Sequence, residues 1–200
     1  MSPRPRKVSD DDVFQAAQRA MSRLGPGELT LAEIAAEAGV TAGALVQRFG
    51  SKRDLMIALS ERFSGGTGEM FVAIRKAHRS PLAALRAYGD CISGLATSPE
   101  ALARNLSYLQ IDLTDPDLRQ HLVAQAWSSR RELQAIIRDA VAAGELVRET
   151  NPTRLARTVE AILAGSMMSW AYYEEGTAAQ WMRDDLEAVL KPYVKPKKKR

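Results

Sequence analysis

Few side chains in this sequence are arranged to do chemistry, and the clearest group suits recognition, not catalysis. Gln47 and Arg48 stand side by side just after Ala42, Gly43 and Ala44. Gln and Arg can each make paired hydrogen bonds to base edges, and small neighbours let a backbone approach a groove closely. Lys52 follows, with Thr30 and Thr41 upstream; an ammonium and two hydroxyls are groups that hold phosphates. Lys52 and Arg53 fall in the first turn of an expected helix. Positive charge is unfavourable there, and a phosphate beside Lys52 reverses that penalty.

Catalytic readings find little support. His78 and His121 have no metal-ligand spacing to another His or to the single cysteine. No Gly-x-Ser-x-Gly or dinucleotide fingerprint occurs. The glycine-rich run Ser64-Gly65-Gly66-Thr67-Gly68 lacks a following Lys-Ser/Thr and a preceding strand, so it reads as a break or flexible joint in a helix, not a phosphate loop. Asp112, Asp115 and Asp117 cluster at a helix junction; Asp115 reads as a cap and the other two as solvated. Cys91, alone of its kind on an apolar segment, reads as a small core residue. No catalytic residue, metal or cofactor is expected.

The elements that must carry Gln47 and Lys52 are short. Thr30-x-x-Glu33 is a capping box that starts a helix at Leu31. Leu31, Ile34, Ala35 and Ala38 make its apolar stripe, and Gly39 ends it. Thr41 caps a second helix, Ala42 to Phe49, with Leu45 and Phe49 inward. Gly50 closes it, and Ser51 with Asp54 starts a third. Upstream, Ser9 and three aspartates begin a helix whose Val13, Phe14, Ala17, Ala20, Met21 and Leu24 form a wall for the short pair. Gly25-Pro26-Gly27 ends that helix.

Leu31-Ala32-x-Ile34-Ala35-x-x-Ala38-Gly39-Val40, Gly43-x-Leu45 and Phe49-x-Ser51-Lys52-x-x-Leu55 follow one another in register. In that register residues 9–60 resemble the DNA-binding domain of the TetR family of bacterial one-component regulators. The resemblance implies a helix-turn-helix head and assigns Lys52 to phosphate. The family commonly has a phosphate-touching aromatic, often Tyr, where this chain has Val46, so that contact is not carried over.

Composition bounds the rest. At 46% hydrophobic and 26% charged, 200 residues make an ordinary globular chain with room for one or two domains. Its net charge of +4 is local. Arg4, Arg6 and Lys7 carry three positive charges; Lys195, Lys197, Lys198, Lys199 and Arg200 carry five more, so the body between them has a net −4. That pattern suits a confined footprint on nucleic acid. A membrane span, an export signal and an internal disulfide are not expected, which points to the cytoplasm and, for a DNA binder, to the nucleoid.

Beyond residue 67 the punctuation predicts helices at about 67–78, 81–96, 99–110, 116–143, 152–175 and 177–191. Ser80-Pro81, Ser98-Pro99, Asp115-Pro116 and Asn151-Pro152 each pair a cap with a proline at the first helical position. No strand pattern appears, so the fold class is all-α, with about nine helices. Residues 1–8 read as a disordered basic arm, 9–55 as the helix-turn-helix domain, 56–193 as a ligand-binding and dimerisation domain, and 194–200 as a basic tail. Arg4 and Arg6 on the arm either enter a minor groove or stay solvated.

The segment 152–191 carries more apolar surface than one partner needs. Leu155, Val159, Ile162, Leu163, Ser166, Met167, Trp170 and Tyr173 form one stripe; Ala161, Met168, Ala171 and Tyr172 extend it; Trp181, Leu186 and Val189 follow. Leu155, Val159, Ile162, Ser166, Tyr173, Trp181, Leu186 and Val189 are the expected interface of a homodimer built as a four-helix bundle, the arrangement that the resemblance also implies. It further implies a cavity for a small, rather apolar molecule, with Met70, Tyr88, Cys91, Asn105, Tyr108, Trp127, Met167 and Trp170 as candidate lining. The expected function is a ligand-responsive regulator, a repressor released from a palindromic operator on double-stranded DNA, with Thr30, Thr41, Ala42, Gly43, Ala44, Gln47, Arg48 and Lys52 in contact with DNA. The alternative is a constitutive or architectural DNA-binding protein without an effector.

Overall fold

A computed structural model describes residues 8–195. Arg4 and Arg6 of the expected arm, and the tail beyond Lys195, lie outside the described residues. Within them are nine helices and no strand. In chain order they are α1 Asp10–Arg23, α2 Leu31–Ala38, α3 Ala42–Phe49, α4 Lys52–Ala77, α5 Pro81–Ser93, α6 Pro99–Thr114, α7 Pro116–Ala142, α8 Pro152–Tyr173 and α9 Ala178–Leu190. Every start follows from local chemistry. Ser9, Thr30, Thr41, Ser80, Asn151 and Thr177 each accept a hydrogen bond from a backbone N–H in the first turn of their helix, which satisfies a donor that the helix itself leaves without a partner.

The chain divides into two compact units, and not at the boundary read after Leu55. The first runs to Phe63 and regains Ala103–Leu122; the second holds Ser64–Leu102 and the chain from Val123 onward. The first unit buries Val13, Ala17 and Ala20 of α1 with Ile34 and Ala35 of α2, Leu45 of α3, and Leu55 and Leu59 of α4. Tyr108 of α6 joins this core, and its hydroxyl donates to the Leu24 carbonyl at 2.8 Å. Burial pushes that phenol up to about 12, with a smaller push from Glu28, so it remains a neutral donor at ordinary pH.

The second unit packs α8 against α9 and both against α5. Phe71, Leu85, Leu133, Ile136, Ile137, Leu146 and Leu155 are among its fully buried side chains. Gly89 permits the approach of α5 to α9, since a Cβ there would stand 3.1 Å from a Leu186 methyl. Arg86 binds Glu187 through two guanidinium nitrogens. That hydrogen bonding holds the Glu187 carboxyl below its ordinary value against the opposing effect of burial. The start of the expected tail is part of the fold: Val194 bridges Leu146, and Lys195 donates its N–H to the Glu145 carbonyl at 3.0 Å.

The expected break at residues 64–68 is absent, and α4 runs through it as one helix. Glycine disfavours a helix by about 1 kcal/mol relative to alanine. Here Leu55 and Leu59 are packed on one side of the run, Thr67 within it is buried, and Phe71 is packed on the other side, so burial outweighs propensity. A Cβ on Gly65 or Gly68 would meet nothing within 4 Å. Gly65→Ala and Gly68→Ala are each expected to raise stability by about 0.4–1 kcal/mol, read as a higher urea midpoint.

Candidate nucleic-acid interface

The site is built outward from one buried leucine. Leu45, 1% exposed, anchors the eight-residue α3 in the core of the first unit, while Phe49 packs its ring 5.8 Å from that of Phe14 on α1. The turn before α3 depends on Gly39, whose φ of +70° is left-handed. Glu37 at the end of α2 is held by Arg19 and Arg23 of α1, both at 2.7 Å, so the two helices are tied by charge as well as by packing.

With the inner side of α3 thus committed, Gly43, Ala44, Val46 and Gln47 are exposed on it. Ala42 is half-buried and packs on the core. The Gln47 side chain makes no hydrogen bond with the described residues, which leaves its amide for an outside partner. Val46, where the resemblance leads one to look for an aromatic, presents an exposed isopropyl group. The Thr30 and Thr41 hydroxyl oxygens accept the backbone N–H groups of Glu33 and Ala44. A hydroxyl that accepts in this way keeps its own proton to donate, which a phosphate oxygen can take.

Two cations are not placed as the sequence suggests. Arg48 turns back toward α1: it pairs with Asp10, donates to the Val8 carbonyl at 2.9 Å, and lies over the Phe49 ring. Arg48 is exposed but, unlike the Gln47 side chain, is tied to the start of α1. Arg53 is bound by Asp115 at 2.9 Å and Asp117 at 2.7 Å. Its hydrogen bonds to Asp117 first and Asp115 second push its guanidinium further up. Burial alone would push the Asp115 carboxyl up, but the Asp117 backbone N–H, Arg53 and the Leu118 backbone N–H outweigh it and hold it below its ordinary value. Asp115 is the expected cap, accepting the Asp117 and Leu118 backbone N–H groups; with Asp117, expected to be solvated, it is also the counter-charge of Arg53. Lys52 donates to the Pro26 carbonyl at 2.7 Å, and its other two protons are not used in that bond.

The eight candidate lining residues are shared between the two units. Asn105 and Tyr108 belong to the first unit; Met70, Tyr88, Cys91, Trp127, Met167 and Trp170 belong to the second. Tyr88 is buried and stacks on Phe71 at 5.2 Å, and Trp170 packs with Ala96, Leu102 and Ala178. Cys91 is exposed, against expectation, with its sulfur 3.8 Å from that of Met70. Trp127 is 55% exposed beneath Arg130. Among the described residues no His, Cys, Asp and Glu group could hold a metal ion.

The expected dimer residues also divide. Leu155, Val159, Ser166 and Leu186 are buried in the core of their own unit, so they present nothing to a second chain. The Ser166 hydroxyl shares its one proton between the Ile162 carbonyl and Asp185. Ile162 and Val189 are half-buried against that core. Tyr173 is exposed and stacks on the half-buried Trp181 at 5.9 Å. The side of α8 left outward carries Thr158, Ala161, Ala164, Gly165 and Tyr172.

Comparison with known proteins agrees with this geometry. The model described as bacterial regulatory proteins, tetR family, matches residues 13–59. The model described as the tetracyclin repressor-like C-terminal domain matches residues 108–186. Among solved structures, a TetR transcription regulator from Haloarcula marismortui is 16% identical with a TM-score of 0.75, over 93% of this chain and 98% of that one. FadR from Bacillus subtilis, in complex with stearoyl-CoA, is 18% identical with a TM-score of 0.68, over 90% and 97%. SmeT, repressor of the Stenotrophomonas maltophilia multidrug efflux pump SmeDEF, is 22% identical with a TM-score of 0.65, over 94% and 92%, and is also solved with triclosan. No curated protein sequence matches the chain.

The Glu37 clasp has a pH signature. Hydrogen bonds from Arg19 and then Arg23 hold its carboxyl below 4.5. A lowered folded value means that the stability it brings is complete above the unfolded value and lost as pH falls through the folded one. Wild type is therefore expected to melt above Glu37→Gln near neutrality, and the two melting temperatures to converge as the buffer is taken to about pH 3.

Proposed function

We propose, on the premise that the chain belongs to the tetR family of bacterial regulatory proteins, that it is a homodimeric repressor released from a palindromic operator by a small, largely apolar effector. The observation that carries this reading is the outer edge of α3, where Gly43, Ala44, Val46 and Gln47 stand exposed above the buried Leu45. Gln47 reads a base edge through two hydrogen bonds, and the Val46 methyls meet a thymine methyl. Gly43 and Ala44 let the helix enter the major groove; Thr30, Thr41 and Lys52 hold phosphates on either side. Arg48 acts by position, fastening Val8, the residue from which the arm with Arg4 and Arg6 departs.

One α3 of eight residues is about 12 Å long and reaches few base pairs. Two copies about 34 Å apart read a palindrome, which is the reason for a dimer. The small outward residues of α8, Ala161, Ala164 and Gly165, support close packing of a second copy along that side. FadR solved with stearoyl-CoA and SmeT solved with triclosan support an apolar effector for this chain too, held in the second unit near Met70, Tyr88, Cys91 and Met167. It shifts the population toward a dimer whose heads no longer match the operator. Members of the family are regulators, not enzymes, and no described helix is long and apolar enough to cross a membrane. The proposed place of action is the cytoplasm, on the nucleoid.

Selection from randomised duplexes tests the reading head. Gln47→Ala is expected to cost about 1–3 kcal/mol at one base pair per half-site, and Lys52→Ala to weaken all sequences alike and lower the salt slope by about one. Base preference unchanged in Gln47→Ala sinks the readout.

The dimer is tested at Gly165, where a Cβ meets nothing within 4 Å of the protomer. Gly165→Leu is expected to keep its helical circular dichroism while sedimenting as a monomer and losing operator binding. A dimer that survives the change rules out this face. A thermal-shift panel of acyl and aromatic compounds tests the effector; no shift with any of them favours the constitutive reading.

A further inference from the structure

The first unit contains a cavity of about 400 Å³ between the turn after α1, the first turns of α4 and the junction of α6 with α7. Leu29, Met56, Ile111 and Leu118 make its lining mostly apolar. Four charged side chains, Lys52, Arg53, Asp112 and Asp115, also border it. Three of them are engaged: Arg53 and Asp115 bind each other, and Lys52 is turned to the Pro26 carbonyl. The Tyr108 hydroxyl, also at the wall, is given to Leu24. Asp112 differs, for its half-buried carboxylate has no partner among the described residues.

We propose that this cavity binds a small apolar molecule carrying one ammonium group, with the apolar body between Leu29, Met56, Ile111 and Leu118 and the ammonium against Asp112. Burial pushes the Asp112 carboxyl up, the mark of a carboxylate that has lost water and gained no cation in return. A bound ammonium restores the lost interaction through a charge-assisted hydrogen bond, and the apolar walls supply the rest by leaving water. Asp117, just outside the lining, shares Arg53 with Asp115. With Asp117 counted, these five groups carry a net −1 before the ligand arrives, which favours a cation over an anion. This site lies wholly within the unit that carries α3, is separate from an effector site in the second unit, and does not depend on one.

Calorimetric titration of the full chain with 4-phenylbutylamine tests the proposal, with 4-phenyl-1-butanol and 5-phenylpentanoate as matched neutral and anionic probes. The amine is expected to bind once per chain and about tenfold more tightly than either control, the factor that one charge-assisted hydrogen bond supplies. Asp112→Asn is expected to bring the amine down to the level of the alcohol and leave the alcohol unchanged. Ile111→Trp, which fills the cavity from a partly exposed position, is expected to abolish both. Circular dichroism checks that each variant folds, and either variant alone suffices. Tighter binding of the acid, amine affinity unchanged in Asp112→Asn or Ile111→Trp, or no saturable binding of the amine up to roughly millimolar concentration overturns it.

Discussion

The seating of α3 governs the first unit. A helix of eight residues does not hold together in water, because its nucleation cost is not recovered over so few hydrogen bonds. Its stability is borrowed from Leu45 and Phe49, which pack on α1 and its neighbours. Burying one leucine contributes about 1.5–3 kcal/mol, comparable to that cost. The same contact settles which residues look outward, since a rotation that exposed Gln47 less would expose Leu45 more. Presentation of the outer edge of α3 and stability of the helix are therefore one property.

Charge placement then filters the basic residues near that edge. Three cations, Arg48, Lys52 and Arg53, stand within six positions of one another, and each is held differently. Arg53 faces two carboxylates brought by the return of the chain at residues 103–122. Arg48 is drawn to Asp10 at the start of α1. Lys52 meets only a neutral carbonyl. Exposed ion pairs of this kind contribute little to stability, up to about 1 kcal/mol. Their effect is directional: they set where each guanidinium points.

In the second unit the competition is between two sides of one helix. The stripe with the largest side chains, Leu155, Val159 and Leu163, is fully buried in the unit, because a large aliphatic surface gains most where it is wholly enclosed. Small residues remain outward. The leucine stripe of the sequence is thus core of its own unit, and the weaker stripe beside it is the exposed one.

Local chemistry made much of this legible. Caps, prolines and left-handed glycines act within about four residues, so the starts of α2, α3, α5, α8 and α9, the turn at Gly39 and the position of Gln47 could be read from neighbours alone. The family register was readable for the same reason. Other features are joined across long stretches of chain: Arg53 to Asp115, Tyr108 to Leu24, Arg48 to Val8. Continuity of α4 through three glycines, the return of residues 103–122 to the first unit, the turning of Arg48 and the inward choice of Leu155 were decided only by tertiary structure. There the burial and pairing of residues distant in sequence outweigh the few tenths to about 1 kcal/mol that local propensity provides.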